Sequence, residues 1–411
     1  NSGTSILEIS HRRKDAVEVI DTARALVKEL MNVPETHDVL FMQGGASLQF
    51  PTIAYNLLKE GGKAAYTQTG KWAENAIKEA KRFGEIEVIA SSKDQNYNYI
   101  PKGYIVPSDV DYFHCTSNNT IFGTQMKEFP NSPVPVVCDM SSDILSRTID
   151  VSKFGVIYAG AQKNMGPAGS AVAIVQKDLL GKTGRNIPDY LNYDVHIKKE
   201  SSFNTWPVIA VYGVMLNLQW LKEQGGVEAI AKINTAKADA IYTEIDRNGL
   251  FTGTAATEDR SQMNATFVLN NEDVKAEFDA MLKEAGVVSL AGHRDVGGYR
   301  ASMYTALPLE SVQVLVEVMK QFERMLERDH AKTKITQVSE LGLVEMTRKR
   351  TRESLEHLLC ESCPTCQGRG YVKTAESVCY EIFREILRYA RAYKSQSGFT
   401  VVAHPAVIDR L

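Results

Sequence analysis

The sequence predicts an α/β protein with a mostly parallel sheet, then a smaller α+β unit, then a separate C-terminal piece. Two observations carry this. Short β-rich runs, among them "VDYFHCTSNNT", "PVPVVCDMSS" and "FGVIYAGAQKN", alternate with helical stretches such as "WAENAIKEAKRF", which is the pattern of βα units. The balance of charge also changes sign near residue 328: residues 329–411 hold 13 Lys/Arg against 10 Asp/Glu, whereas residues 1–328 hold 34 against 40. The expected domains are therefore a large one over 1–225, a small one over 226–328, and a fragment over 329–411.

The elements follow in order. "KDAVEVIDTARALVKELMNV" places Val17, Ile20, Ala23, Val27, Leu30 and Met31 at helical spacing, so the chain opens with an amphipathic helix. "DVLFMQGGASLQF" reads as an apolar strand, a Gly-Gly turn and the start of a helix, and "GSAVAIVQ" as a further strand. "WPVIAVYGVMLNLQWLKEQGG" reads as a long, largely buried helix, and "AIAKINTAKADAIYTEIDRNG" as another. "NATFVLN", "VVSLAGHRDVGGYRASMYTAL" and "SVQVLVEVMKQFERML" make up the smaller unit.

The totals narrow the class. Apolar content of 44% and charged content of 24% are ordinary for a globular chain of 411 residues. A net charge of −3 gives no global field to recruit nucleic acid or an anionic membrane. No apolar run is long enough to span a bilayer, and the N-terminus lacks the order of a signal peptide. Six cysteines without such a signal suggest a reducing compartment, with the cytoplasm as the default.

In an open α/β sheet, ligands collect at the carboxyl ends of the strands. The polar and small residues fall there: Gly44-Gly45-Ala46-Ser47, Ser117 to Thr120, Asp139, and Gln162-Lys163. Lys163 lies in "AGAQKNMGPAG", a long cationic side chain among residues that turn tightly and clear space. A lysine there suits pyridoxal phosphate, whose aldehyde it would hold while also shuttling protons. A carboxylate must then keep the pyridine nitrogen protonated, an aromatic face should stack on the ring, and backbone N–H groups should hold the phosphate. Asp139, Trp72 and the stretch Gly45-Ala46-Ser47 are candidates. Singly, each has a plainer reading: a turn cap, a core side chain, a bend. Jointly they sit at strand ends of one crevice.

"EISHRRKDA", "LFMQGGASLQF", "SNNTIFGTQ", "VVCDMSSDILSR", "VIYAGAQKNMGPAG", "FNTWPVIAVY" and "GHRDVGGYRASMY" together resemble the phosphoserine aminotransferase family, collinearly from residue 1 to about 326. The resemblance implies the pyridoxal-phosphate-dependent transferase fold of type I, with a mostly parallel, seven-stranded-type sheet in the large domain. By it, Lys163 matches the Schiff-base lysine and Gln162 a phosphate contact. Asp139 matches the partner of the pyridine nitrogen, Trp72 the stacking ring, and Thr120 the contact near the ring hydroxyl. Ala46 and Ser47 match the phosphate cup. Asn204 and Thr205 match residues donated to the phosphate by the other subunit, which implies a homodimer. Arg300 matches the residue on the substrate α-carboxylate. His11 with Arg12 and His293 with Arg294 match the pairs at the side-chain anion, a use for which guanidinium groups are well suited. The implied reaction passes an amino group between glutamate and 3-phosphohydroxypyruvate, giving O-phosphoserine and 2-oxoglutarate for serine biosynthesis. The family also serves pyridoxine biosynthesis. Three departures stand out: Trp206 where proline is expected, Arg13 where the family often has a small residue, and the lack of an N-F-x-x-G-P segment that normally precedes this region by some thirty residues.

The end of the chain is different. "LLCESCPTCQGRG" holds Cys363 and Cys366 as a C-x2-C knuckle, half of a tetrahedral Zn2+ site. Cys360, His357 or Cys379 could complete it within one chain, or two chains could each give a pair. "TAESVCYEIFREILRYARAY" then places Val378, Ile382, Phe383, Ile386, Leu387 and Ala390 on one helical face, read as packing. From "DHAKTK" to "CQGRG" this piece is similar to the carboxyl-terminal part of the ribonuclease E/G catalytic region, closest to ribonuclease G. In that family the C-P-x-C pair binds zinc between subunits, so the appendage is expected to be a zinc knuckle plus a helix. The family's metal-binding carboxylates and RNA-binding domain lie upstream and are not matched, so neither ribonuclease activity nor an RNA partner is expected. The competing reading is a truncated or chimeric, inactive aminotransferase scaffold carrying a zinc-linked RNA-processing interaction module.

Overall fold

A computed structural model describes residues 3–328, 333–338, 344–348, 359–362, 371–393 and 398–411. Its strands are β1 (His37–Met42), β2 (Lys63–Gln68), β3 (Glu85–Ser91), β4 (Phe113–Thr116), β5 (Asn118–Asn119), β6 (Thr124–Gln125), β7 (Val136–Asp139), β8 (Val156–Gly160) and β9 (Ala171–Gln176), then β10 (Phe251–Gly253), β11 (Asn264–Leu269) and β12 (Tyr299–Ser302). The helices are α1 (Lys14–Leu30), α2 (Gly45–Leu57), α3 (Lys71–Ala80), α4 (Tyr193–Lys198), α5 (Val208–Glu223), α6 (Gly226–Arg247), α7 (Lys275–Glu284) and α8 (Leu309–Arg328). The chain divides into two compact units, Asn1–Arg324 and Met325–Leu411.

The first unit is organised by a seven-stranded sheet in the order β1-β9-β8-β7-β4-β2-β3. β8, β7, β4, β2 and β3 run parallel, and β9 alone is antiparallel to both its neighbours. Every residue of β4, β7 and β8 is buried, as expected of strands covered on both faces, whose sequences read as apolar runs without alternation. The two edges are blunted in different ways. β3 carries Glu85 and Glu87. On β1, the Ser201 hydroxyl accepts from the Phe41 N–H at 3.0 Å and Arg24 Nε donates to the Val39 carbonyl at 3.1 Å.

α1 buries Ala16, Val19, Ile20, Ala23, Leu26 and Val27 against this sheet's core, whereas Val17, placed on the apolar face by spacing alone, is 36% exposed. The inward stripe is centred differently at its start: Ala16 and Val19 face the core where Val17 does not, while Leu30 packs against it half-buried. α5 is likewise not buried all round. Ala210, Val211, Val214, Leu218 and Leu221 face the core, while Ile209 and Leu216 are exposed. A three-stranded antiparallel sheet, β10-β11-β12, with α6, α7 and α8 forms the rest of the unit. Phe251, Phe267, Phe278, Phe322 and Tyr299 cluster at its centre.

The second unit contains two antiparallel hairpin pairs, β13 (Thr333–Val338) with β14 (Val344–Arg348) and β15 (Cys360–Ser362) with β16 (Tyr371–Lys373). These precede α9 (Ala375–Tyr393) and the short α10 (Pro405–Ile408). Along α9, Val378, Ile382, Ile386 and Ala390 are half-buried, but Phe383 and Leu387 remain about half exposed. Cys363, Cys366 and His357 lie outside the described residues. Cys379 is buried, and its thiol donates to the Val407 carbonyl at 3.4 Å. Among the described residues no group of three or more His, Cys, Asp or Glu could hold a metal, and no helix is long and apolar enough to cross a membrane.

Candidate active site

Because β1, β2, β4, β7 and β8 all point the same way, the residues that follow them emerge along one edge of the sheet. Gly44 and Gly45 follow β1 with φ of 82° and 59°. Two successive left-handed residues are strained for anything but glycine. They turn the chain so that α2 begins at Gly45 itself, and Gly45, Ala46 and Ser47 are its first turn. Their N–H groups are the ones a helix leaves without internal partners, and they lie at the positive end of its dipole.

Lys163 lies three residues beyond β8. Its Nζ donates to Thr120 Oγ1 at 3.2 Å and lies 5.9 Å from the centre of the Trp72 ring. Trp72, in the first turn of α3, is 39% exposed, which leaves its ring open on the side of the crevice. Thr120 directly follows β5. Gly70, before α3, makes room for its neighbour Asn119: a Cβ there would lie 2.9 Å from Asn119 Oδ1.

The small residues around Lys163 now have a physical reason. A Cβ on Gly166 would meet the Val214 backbone at 3.0 Å, and one on Gly213 would meet Pro167 Cδ at 2.7 Å. The lysine loop and α5 therefore pack backbone to backbone. Asn164, next to the lysine, is pinned from three sides. Its side-chain amide donates to the Ile144 carbonyl at 3.0 Å, its side-chain oxygen accepts from Thr305 N at 3.1 Å, and its carbonyl accepts from Asn217 Nδ2 at 3.0 Å. The aminotransfer candidate is long and flexible, but its base is fixed.

Asp139 ends β7, directly opposite Tyr158 on β8. It is 5% exposed and accepts the Ser141 N–H at 2.9 Å. Burial raises its pKa, while hydrogen bonds from Ser141, the positive charge of Lys163 and a hydrogen bond from Tyr158 pull the other way. Among the described residues no Lys, Arg or His makes an ion pair with it. A buried carboxylate without a cation is costly, and the protonated nitrogen of a pyridine ring is a cation of suitable size. The crevice thus fits pyridoxal phosphate on its own chemistry: an amine, an open aromatic face, an unpaired buried carboxylate and a helix N-terminus at the end of one sheet.

The other expected residues are less tightly drawn together. Gln162 is exposed, its side chain folded back over Gly160. Thr205 is exposed and its carbonyl accepts from Gln43 Nε2, so the Asn204-Thr205 stretch runs beside the β1–α2 turn of its own chain. Trp206 is buried and its indole N–H has no partner. Arg300 lies on β12 with its Nε buried and unpaired, and His11 Nε2 is in the same condition. Arg12 is exposed. His293 Nδ1 is 3.4 Å from Asp295, and Arg294 is 89% exposed. Sequence reading passed over Tyr158, Ser141 and Asn164. The register of β7 against β8 would have pointed to the first, since a residue opposite Asp139 must share its face of the sheet.

Comparison with known proteins agrees with this geometry. The family model for aminotransferase class V matches residues 1–315, and that for the ribonuclease E/G family matches residues 309–351. The chain is similar to phosphoserine aminotransferase of Flavobacterium psychrophilum, 64% identical over 327 residues, with 79% of this chain and 92% of the relative covered. It is also similar to phosphoserine aminotransferase of Flavobacterium johnsoniae, 61% identical with 79% and 91% covered. Among solved structures, phosphoserine aminotransferase from Bacillus circulans subsp. alkalophilus superposes with a TM-score of 0.76 at 45% identity, covering 79% of this chain and 91% of its own.

Proposed function

The chain belongs to the class V aminotransferases and, within them, to the phosphoserine aminotransferases, and from this premise we infer how its residues divide the work. The reaction is ping-pong transfer of an amino group between glutamate and 3-phosphohydroxypyruvate, giving O-phosphoserine and 2-oxoglutarate in serine biosynthesis. The observation that carries the reading is Lys163 Nζ set between Thr120 and the Trp72 ring, with the buried Asp139 at the neighbouring strand end.

Pyridoxal phosphate, when bound, supplies a ring that accepts electrons from the carbon being deprotonated. Lys163 anchors it and is the base that removes the proton from the amino donor's α-carbon. Asp139 keeps the ring nitrogen protonated. Trp72 stacks on the ring, and Ala46, Ser47 and Gln162 hold the phosphate. Arg300 takes the substrate α-carboxylate, and its unpaired Nε–H is a donor waiting for an acceptor. His11, Arg12, His293 and Arg294 receive the second anion of the substrate. Arg12 and Arg294, both exposed, are free to swing onto it. The working form is a homodimer in which Asn204 and Thr205 reach the phosphate across the interface. At the C-terminus, Cys363 and Cys366 hold zinc, for which metal analysis of the purified chain is the measure.

The test is the visible spectrum of the purified chain with pyridoxal phosphate, before and after O-phosphoserine. The expected result is a band from lysine-bound cofactor that bleaches on phosphoserine and barely on alanine. A band indifferent to phosphoserine would rule out the substrate assignment, and no band with Lys163 intact would rule out the cofactor site.

A further inference from the structure

Beneath Asp139, on the same face of the sheet, lies a row of buried polar aromatic side chains that the reaction does not itself require. Tyr66 on β2 is in register with His114 on β4, and Tyr158 on β8 is in register with Asp139 on β7. Tyr158 and the Asp139 carboxylate stand side by side on one face of the β7–β8 pair, where the tyrosine favours the ionised carboxylate. The Tyr158 hydroxyl lies 2.9 Å from His114 Nε2. The His114 ring stacks on Tyr66, with centroids 4.7 Å apart and planes 18° from parallel, and the Tyr66 and Tyr112 hydroxyls are 2.7 Å apart. All four aromatic side chains are essentially without solvent exposure.

The direction of each proton can be worked out. His114 is held neutral, because burial pushes its pKa down to about 3. Its Nδ1 is buried without a partner. A bare lone pair there costs less than an orphaned N–H, so Nε2 carries the hydrogen and donates to the Tyr158 oxygen. The Tyr158 hydrogen is then left for Asp139. Ser141 adds its backbone N–H, and its hydroxyl already accepts from Gly160 N at 3.1 Å, which leaves the hydroxyl hydrogen to be donated. Ser141 and Tyr158 both face the carboxylate as donors, and donors favour the ionised form.

We propose that Tyr158 and His114 are positioning residues that hold Asp139 ionised and aimed at the ring nitrogen of the cofactor, so that the proton stays on the ring and not on the carboxylate. The effect is specific. A carboxylate kept charged by its own hydrogen bonds discriminates for a ring that can carry a positive charge, and it adds nothing to the binding of a ring that cannot. His114 acts through Tyr158 and touches no reacting atom. Stacking on Tyr66 keeps the imidazole plane, and therefore the direction of its Nε2–H, fixed.

The proposal rests on the cofactor assignment above, and the experiment separates the two. The full chain and its Tyr158→Phe variant are titrated with pyridoxal phosphate and with an analogue in which carbon replaces the ring nitrogen, following the quenching of tryptophan fluorescence. The unaltered chain should prefer pyridoxal phosphate. If it does not, Asp139 is not the partner of the ring nitrogen, and the cofactor assignment fails together with the relay. In Tyr158→Phe, affinity for pyridoxal phosphate should fall by about tenfold, the usual size of one hydrogen bond to a charged group, while affinity for the analogue stays within about twofold. An undiminished preference overturns the relay, and so does an equal loss for both ligands, which would mark Tyr158 as merely structural. His114→Phe, which keeps the stacked ring, should lower the preference by a smaller factor. Added to Tyr158→Phe it should do nothing more, because two residues acting through one contact are not additive. If Tyr158→Phe does not fold, His114→Phe alone decides on the same preference.

Discussion

Lys163 Nζ donates to Thr120 Oγ1 at 3.2 Å, across the gap between the strand ends of β8 and β4. The hydroxyl holds the amine toward the Trp72 ring without forming an ion pair that would have to be broken before chemistry. Thr120→Val keeps the shape and removes the acceptor. It should lower kcat/KM for phosphoserine by about tenfold, the effect of one neutral hydrogen bond to a charged group, while Thr120→Ser stays near the unaltered value. Steady-state kinetics on both variants checks this.

Asp139→Asn separates stability from activity. Folding raises the pKa of Asp139, because burial outweighs its hydrogen bonds. The folded chain therefore binds this proton more tightly than the unfolded chain. Around neutral pH the ionised group costs stability, and that cost fades as pH falls through the folded pKa. Without cofactor, the asparagine variant should melt at the same or a higher temperature at pH 7, yet lose about a hundredfold or more in kcat. Paired thermal melts and turnover measurements decide it; a fall in both would mean that the carboxylate is structural.

Gly166→Ala places a methyl group against the backbone of Val214, 3.0 Å from its Cα. Backbone cannot swing aside, so α5 and the lysine loop must part. Overpacking of this kind costs about 1–3 kcal/mol, and urea denaturation should show it. Gly249→Ala serves as the contrast, since nothing lies within 4 Å of a Cβ there and its backbone is not in the left-handed region.

Lys237 is buried in α6, and its ammonium donates to the carbonyls of Met303, Tyr304 and Leu307 at 3.0, 2.9 and 3.1 Å. That loop in turn binds Asn164 through Thr305. Burial lowers the lysine pKa to about 8 from the ordinary 10.5. Between those values the unfolded chain binds the extra proton, so this residue's contribution to stability rises with pH across that window. Lys237→Met should flatten the rise. It should also destabilise the chain near pH 7 by about 1–3 kcal/mol, through carbonyls left without a donor. Denaturation curves at pH 7.5, 8.5 and 9.5, values chosen to straddle about pH 8, compare the two chains.

Much of this was legible in the sequence because the residues at strand ends are chemically conspicuous. A lysine among glycines, an aspartate closing an apolar run and a Gly-Gly turn before a helix can be recognised one at a time, and the parallel order of the strands brings them together. Tyr158 and His114 were not legible. Each sits inside an apolar strand and reads as core, and only the lateral register of β4, β7 and β8 shows that their polar ends meet beneath Asp139. Val17 and Leu216 show the limit from the other direction. Spacing marks an apolar face but does not say where its margin falls, and both lie on the exposed side.

The place of β1 has a consequence for how the chain is made. Among the described strands it is synthesised before the others, yet its ladder partner among them is β9, with His37 paired to Gln176 and Met42 to Ala171. On a ribosome adding about 5–20 residues per second, "HDVLFM" must wait on the order of ten seconds or more before its hydrogen-bonding edge is taken. During that interval it is an apolar strand with an open edge, the kind of segment that pairs with another nascent copy. Newly made chains should therefore be most prone to aggregation, and most in need of a holding chaperone, while the stretch between β1 and β9 is still emerging.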